Sequence, residues 1–370
     1  MSMRKSGAYT RRDAWRRVRE RSYLLYLAIV LSLIISSAGC SGKKTNTQRR
    51  LRIGFSMDSL QLERWHRDRD VFTRRASELG AEVLIQSADG NDELQIRQAE
   101  NLLTQGIDVL VVIPHNGQIA AAIVENAKRQ GIPVLAYDRI IRNSDVDFYV
   151  SFDNVKVGEQ QARYLVQRAP KGNYVLIGGA PTDDNARQLR EGQMKELRPL
   201  LERGEIKIVA DQWAKDWLPS EALRHTENAL TQTGNNIVAV VASNDSTAGG
   251  AVQALEEQKL AGKVLVSGQD AELAACQRIV AGTQSMTVYK PVTPLATHAA
   301  EIAVALAKHQ PVDANAKVNN GLKEVPSYLI DPLVVDRNNI AEIIARDQFV
   351  SFRDVYRNIA PDQRPKIANN

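Results

Sequence analysis

The chain has 370 residues, with 48 Lys and Arg against 43 Asp and Glu and only two Cys. That length exceeds one simple core and suits two α/β lobes. The basic excess is confined to residues 1–39, which carry eight Lys and Arg and two Asp and Glu; the rest holds 40 basic and 41 acidic groups, so no basic face for nucleic acid is expected.

The first element is a leader in three parts. Arg11, Arg12, Arg16, Arg17, Arg19 and Arg21 make a positive stretch, and residues 23–35 (YLLYLAIVLSLII) are apolar. Spanning a bilayer takes roughly 20 residues, so this shorter run reads as the core of an export signal over residues 1–39. Ala38-Gly39-Cys40 resembles a lipobox, which implies lipidation of Cys40 and attachment to a membrane. Ser37 stands where lipoboxes usually have an aliphatic residue, so a plain secreted form and an uncleaved anchor stay open. With Cys40 lipidated, Cys276 is alone and no intramolecular disulfide can form. Residues 40–50 are polar and read as a tether.

A strand–helix alternation then begins. Strands are expected at 51–57, 81–86, 108–113, 133–137 and 148–151, with helices at 60–79, 92–105 and 117–130. The pattern restarts near Val155: strands at 173–177, 206–210, 237–242, 263–267 and 285–288 alternate with helices from 155–168 to 272–281. A helix at 293–308, an extended segment at 328–335 and a helix at 338–346 complete the chain. Apolar runs joined by helices mark parallel sheets covered on both faces. Two consecutive five-strand sets imply two similar doubly wound α/β lobes.

In open α/β sheets, ligands sit beyond the carboxyl ends of the strands. Polar residues gather there: Asp138 and Arg139, Asn244, Asp270, and Lys290 each follow an apolar strand. A carboxylate beside a guanidinium suits a polyol, because charge-assisted hydrogen bonds are strong. Each of these side chains has a plainer use as a helix cap or solvated charge; at the 243–247 turn, Asp245 or Ser246 is expected to take the capping role, freeing Asn244. Trp65 and Trp217 lie among charged and polar residues rather than in apolar stripes. Aromatic rings cover the C–H faces of a pyranose. Trp213 reads as packing, and Arg64 and Arg190 are further candidates. No phosphate loop, nucleophile elbow or Cys-x-x-Cys is present, and the five His are scattered without ligand spacing. Neither an enzyme, a cofactor nor a metal is expected.

The segments LERWHRDRD (62–70), AYDRII (136–141), DFYVSFDN (147–154), ADQW (210–213), WLPSEAL (217–223), ASNDSTAGGAVQAL (242–255), SGQDAEL (267–273), GTQSMTVYKP (282–291) and NNGLKEVPS (319–327) carry a close resemblance. From about residue 51 to about 345 the chain resembles the periplasmic binding proteins that take up ribose, galactose and related sugars. The resemblance implies the type I fold of that family, with lobes at 51–152 plus 292–325 and at 153–291 plus 326–350, and a tail at 351–370. It implies hinge strands near 152–154, 289–292 and 323–328. It also implies a sugar shell of Arg64, Trp65, Asp138, Arg139, Asn185, Arg190, Trp217, Asn244, Asp270 and Lys290. Two Trp with Lys290 as a charged donor resemble the D-xylose subtype more than the ribose one. The implied partners are the sugar and a membrane permease with its ATPase; the implied state is a monomer in the periplasm or cell envelope. A sensor feeding a chemoreceptor or kinase, or a binder of another pentose or hexose, stays open. A sugar-responsive repressor shares the fold but begins with a DNA-binding helix pair, where this chain begins with an export signal.

Overall fold

Short apolar segments rich in Val, Ile and Leu alternate with amphipathic helices, and that alternation builds parallel sheets with helices on both faces. The computed structural model describes residues 49–365; the leader, Cys40 and nearly all of the expected tether lie outside the described residues. The first half runs β1 (Leu51–Met57), α1 (Glu63–Glu78), β2 (Ala81–Ser87), α2 (Asp92–Thr104), β3 (Val109–Val112), α3 (Ala121–Arg129), β4 (Val134–Tyr137) and β5 (Phe148–Phe152). The second half runs α4 (Asn154–Val166), β6 (Gly172–Gly178), α5 (Asp184–Glu202), β7 (Ile206–Trp213), α6 (Pro219–Thr233), β8 (Ala239–Ala242), α7 (Asp245–Glu257), β9 (Leu265–Val266), α8 (Leu273–Ala281) and β10 (Met286–Tyr289). The chain ends with α9 (Val292–Ala307), β11 (Ala316–Asn319), β12 (Glu324–Ile330), β13 (Leu333–Asp336), α10 (Ile340–Asp347) and α11 (Phe352–Val355).

The first sheet has the order β11-β12-β5-β4-β3-β1-β2. All its neighbours pair in parallel except β11 with β12. One face packs against α1 and α9 through Phe55, Phe72, Leu295 and Ala299; the other packs against α2 and α3 through Leu102, Leu110, Ile123 and Val124. The second sheet has the order β7-β6-β8-β9, all parallel, while β10 and β13 form a separate antiparallel pair. Its helices α4 and α5 cross closely: a Cβ on Gly158 would stand 2.0 Å from the Leu189 carbonyl, and one on Gly192 1.9 Å from that of Val155.

Two expectations change. The two five-strand sets are in fact a seven-stranded sheet and a four-stranded sheet with a separate two-stranded ribbon. The extended segment at 328–335 is two strands, because β12 pairs with β5 in the first sheet whereas β13 pairs with β10. The third passage between the sheets therefore falls at Asp331 and Pro332, later than the expected 323–328. The other two passages, at Asp153 and at Lys290-Pro291, lie within the ranges that the resemblance implied.

Candidate ligand-binding site

The carboxyl ends of both sheets face one narrow cleft lined mainly by charged and amide side chains. From the first-sheet side come Arg64 and Trp65 at the start of α1, and Asp138 and Arg139 just after β4. From the second-sheet side come Asn185 on α5, Trp217 ahead of α6, Asn244 ahead of α7 and Asp270 beyond β9; Lys290 lies on the passage after β10.

Arg64 is the hub. Its Nη2 lies 2.8 Å from Asp138 Oδ2, its Nη1 donates to Asp270 Oδ1 at 3.3 Å, and its Nε donates to Asp68 Oδ2 at 3.2 Å. Burial disfavours the guanidinium, but Asp138, Asp68 and Asp270 outweigh it and hold its pKa well above the ordinary value. Burial pushes the Asp138 carboxyl up, and Arg64, Lys290 and Arg139 more than offset it, leaving it below the usual carboxylate range. Lys290 Nζ lies 3.2 Å from Asp270 Oδ1 and 3.9 Å from Asp138 Oδ2. A buried, ionised carboxylate flanked by cations can accept two hydroxyl protons while the cations donate to other hydroxyls.

The backbone bends to present these groups. Asp138 has φ +60°, Trp217 +59° and Asp270 +95°, the left-handed region that non-glycine residues seldom adopt. Such conformations cost about 1–3 kcal/mol each and persist where the surroundings fix them. For Asp138 the fixing is visible: its carbonyl accepts from Ser151 Oγ at 2.6 Å, Tyr149 Oη at 2.9 Å and Asn185 Nδ2 at 3.0 Å. The Trp217 ring lies flat over Gly179, where a Cβ would meet it at 2.1 Å.

Asn185 and Asn244 each serve twice. Asn185 Nδ2 reaches across to the Asp138 carboxylate at 3.1 Å. Asn244, rather than Asp245 or Ser246, caps α7: its Oδ1 accepts from the Thr247 backbone N–H at 2.9 Å. Its Nδ2 stays without a partner on the pocket wall, as do the Trp65 indole N–H and Gln269 Oε1. Asp245 is structural, accepting from Gln284 Nε2 at 2.8 Å and Thr287 Oγ1 at 2.9 Å.

Arg190 is the one expected shell residue that does not line the pocket. Its guanidinium is drawn off by Asp211, its Nε donates to Gln193 Oε1 at 3.0 Å, and it stacks 5.1 Å from the Trp213 ring. Leu62, Asp183 and Gln269 line the pocket without having been singled out. Asp183 accepts from the Asn185 backbone N–H at 2.9 Å and from Trp217 Nε1 at 3.2 Å, and pairs with Arg139 Nε at 2.7 Å. Burial leads among the influences on its carboxyl and keeps the pKa above the usual range despite Arg139. Asp68, which also escaped the sequence reading, had a signal: it stands one helical turn after Arg64 on α1.

A family model described as "Periplasmic binding protein domain" matches residues 53–311. The chain is 54% identical over 336 residues to the D-xylose-binding periplasmic protein of Haemophilus influenzae, covering 91% of this chain and 99% of that protein. It is 53% identical to the protein of the same name from Escherichia coli, covering 88% and 97%. Among solved structures it superposes on a carbohydrate transporter solute-binding protein from Chloroflexus aurantiacus in complex with D-glucose. That match has a TM-score of 0.78 at 33% identity and covers 82% of this chain and 98% of the other.

Proposed function

The chain belongs to the periplasmic binding protein family and has its type I fold, and from that premise we propose that it captures D-xylose outside the cytoplasm and delivers it to the permease of an ATP-driven uptake system. The observation that carries this reading is the narrow pocket whose charged hydroxyl partners come from both sheets while two Trp supply apolar surface. Two relatives that span nearly all of the chain carry the D-xylose name, and both exceed half identity to it.

Capture proceeds by closure of two lobes, one on each sheet, about the passages at Asp153, Lys290-Pro291 and Asp331-Pro332. The bonds Arg64–Asp270, Arg139–Asp183 and Asn185–Asp138 exist only while the lobes meet. A sugar that inserts among these groups adds hydrogen bonds from both sides, and its differential affinity for the closed form drives closure. The closed face then docks on the permease, and the ATPase supplies the energy of transport. Arg64, Trp65, Asp138, Arg139, Asn185, Trp217, Asn244, Asp270 and Lys290 form the sugar shell. No bond-making chemistry is required of any of them.

Calorimetric titration with a pentose and hexose panel tests the reading: D-xylose should bind most tightly, and no heat with any monosaccharide would overturn it. A lipid on Cys40 holds the mature protein at the membrane, with the polar residues up to Arg50 as its leash. Mass spectrometry of the membrane fraction should find diacylglyceryl on Cys40; a chain still starting at Met1 would sink that assignment.

A further inference from the structure

A chain of polar contacts runs from outside the pocket to its Trp217 wall. Arg139 Nη1 pairs with Asp58 Oδ2 at 2.7 Å, and Asp183 Oδ2 pairs with Arg139 Nε at 2.7 Å and accepts from Trp217 Nε1 at 3.2 Å. His115 extends the chain outward. It stands three residues beyond β3, its backbone N–H donates to Gln95 Oε1 at 3.0 Å, and its ring Nδ1 bonds Asp58 Oδ1 at 2.8 Å. Its other ring nitrogen, Nε2, stands 3.9 Å from Asp216 Oδ1. His115 follows a first-sheet strand, whereas Asp216 follows β7 of the second sheet and immediately precedes Trp217, so this contact crosses the cleft. Asp216 and Trp217 both have left-handed backbone, at φ +51° and +59°, and that turn sets the indole against the pocket.

The protonation state of His115 decides the sign of that contact. Burial pushes the Asp58 carboxyl up, but Arg139 and His115 more than offset it and hold it below the usual carboxylate range, so Asp58 accepts and Nδ1 donates. A neutral ring then turns the Nε2 lone pair toward the Asp216 carboxylate, acceptor against acceptor. A proton on Nε2 turns the same contact into a charged N–H facing a carboxylate. Asp58, Asp92 at the start of α2 and Asp216 set negative charge about the ring, and Arg139 after β4 sets positive charge. The bond to Asp58 leads in raising the His115 pKa; Asp92 adds to it, and burial and Arg139 oppose it without cancelling it. We propose that His115 is a positioning residue for sugar capture: as an imidazolium it clasps Asp216 across the cleft and so holds the Trp217 wall closed over the sugar. The proposal rests on the D-xylose reading of the pocket.

The test is calorimetry with D-xylose on the full chain, on His115→Gln, on Asp216→Asn and on the double variant, at about pH 6 and about pH 9 and one ionic strength. Gln still donates to Asp58 but carries no titrating charge, and Asn is tolerated in left-handed backbone. The clasp is present at the lower pH and is lost as pH rises through a His115 pKa that lies above the ordinary value of about 6.5. Glu272, close to Asp270, also titrates at about 7, so each Kd is read as a ratio to the native Kd at the same pH. Each single variant should bind at least about threefold more weakly than native at the lower pH and within about twofold of it at the higher. The double variant should be no more than about twofold weaker than the weaker single variant, because both changes remove one contact. Xylose binding at the higher pH reports folding, and Asp216→Asn, at a partly exposed position, carries the test if His115→Gln does not fold. Ratios that are equal at the two pH values, or single losses that multiply in the double variant, overturn the clasp. A native protein that binds no D-xylose at either pH overturns the D-xylose reading itself, and the clasp with it.

Discussion

Asp270→Asn isolates the charge that spans the cleft. Asp270 follows the second sheet, its neighbour Arg64 belongs to the first-sheet side, and Lys290 sits on a passage between them. Asn keeps the side-chain shape and, like Asp, is among the residues best tolerated in left-handed backbone, so the local fold should survive. At 3.3 Å from Arg64 and 3.2 Å from Lys290, each contact has a gross Coulomb energy of about 5 kcal/mol at an effective dielectric of about 20. Most of that is offset by desolvation, and removing one buried partner typically costs roughly 3–5 kcal/mol. Arg64 keeps Asp68 and Asp138, and Lys290 keeps Asp138 at 3.9 Å, so the loss falls below that range. The expected loss in sugar affinity is about 2 kcal/mol, or roughly 30-fold in Kd. Because the Arg64–Asp270 bond spans the cleft, small-angle scattering at one fixed D-xylose concentration should show compaction for the native protein and little for the variant. A Kd within threefold of native, or an equal compaction, would refute the closure argument.

Trp217→Ala should weaken D-xylose binding by about 1–3 kcal/mol in calorimetry and also lower stability by up to roughly 3–5 kcal/mol, because the ring is only 5% exposed and packs on Ala180 and Ala186; unchanged melting would show that the ring is not part of the core. Burial, then Asp270, raise the Glu272 pKa to about 7, so the folded state holds this proton more tightly than the unfolded chain does. The associated stability is complete below about pH 4.5 and is lost as pH rises through about 7, on the order of 3 kcal/mol in all; denaturant melts of native and Glu272→Gln that stay parallel over this window would contradict it. Burial raises the Cys276 thiol far above its ordinary pKa, so a thiol reagent at pH 8 should leave it unmodified until denaturant unfolds the chain, and peptide mapping that finds native label on Cys276 would count against that placement.

Much of the site was legible because strand ends are legible. An apolar run followed by Asp-Arg at 138–139, by Asn244, or by Lys290 places a polar side chain where an open parallel sheet presents ligands, and the structure brings those groups together. The spacing of apolar runs likewise set which segments became strands and helices. What the sequence left open depends on geometry between segments far apart in the chain. Arg190 looked equivalent to Arg64, yet Asp211 and Gln193 hold it away from the pocket. Asp183 was not singled out in the sequence; it caps α5, and only the approach of the two sheets sets it against Arg139. The segment at 328–335 read as one extended piece, since periodicity cannot say that a chain changes sheets at Asp331-Pro332. Local pattern determines which backbone forms and which face is buried, because those follow from nearest neighbours and water. Which charge meets which across the cleft is decided by packing, because the energy of an ion pair depends on distance and desolvation that exist only once both sheets are assembled.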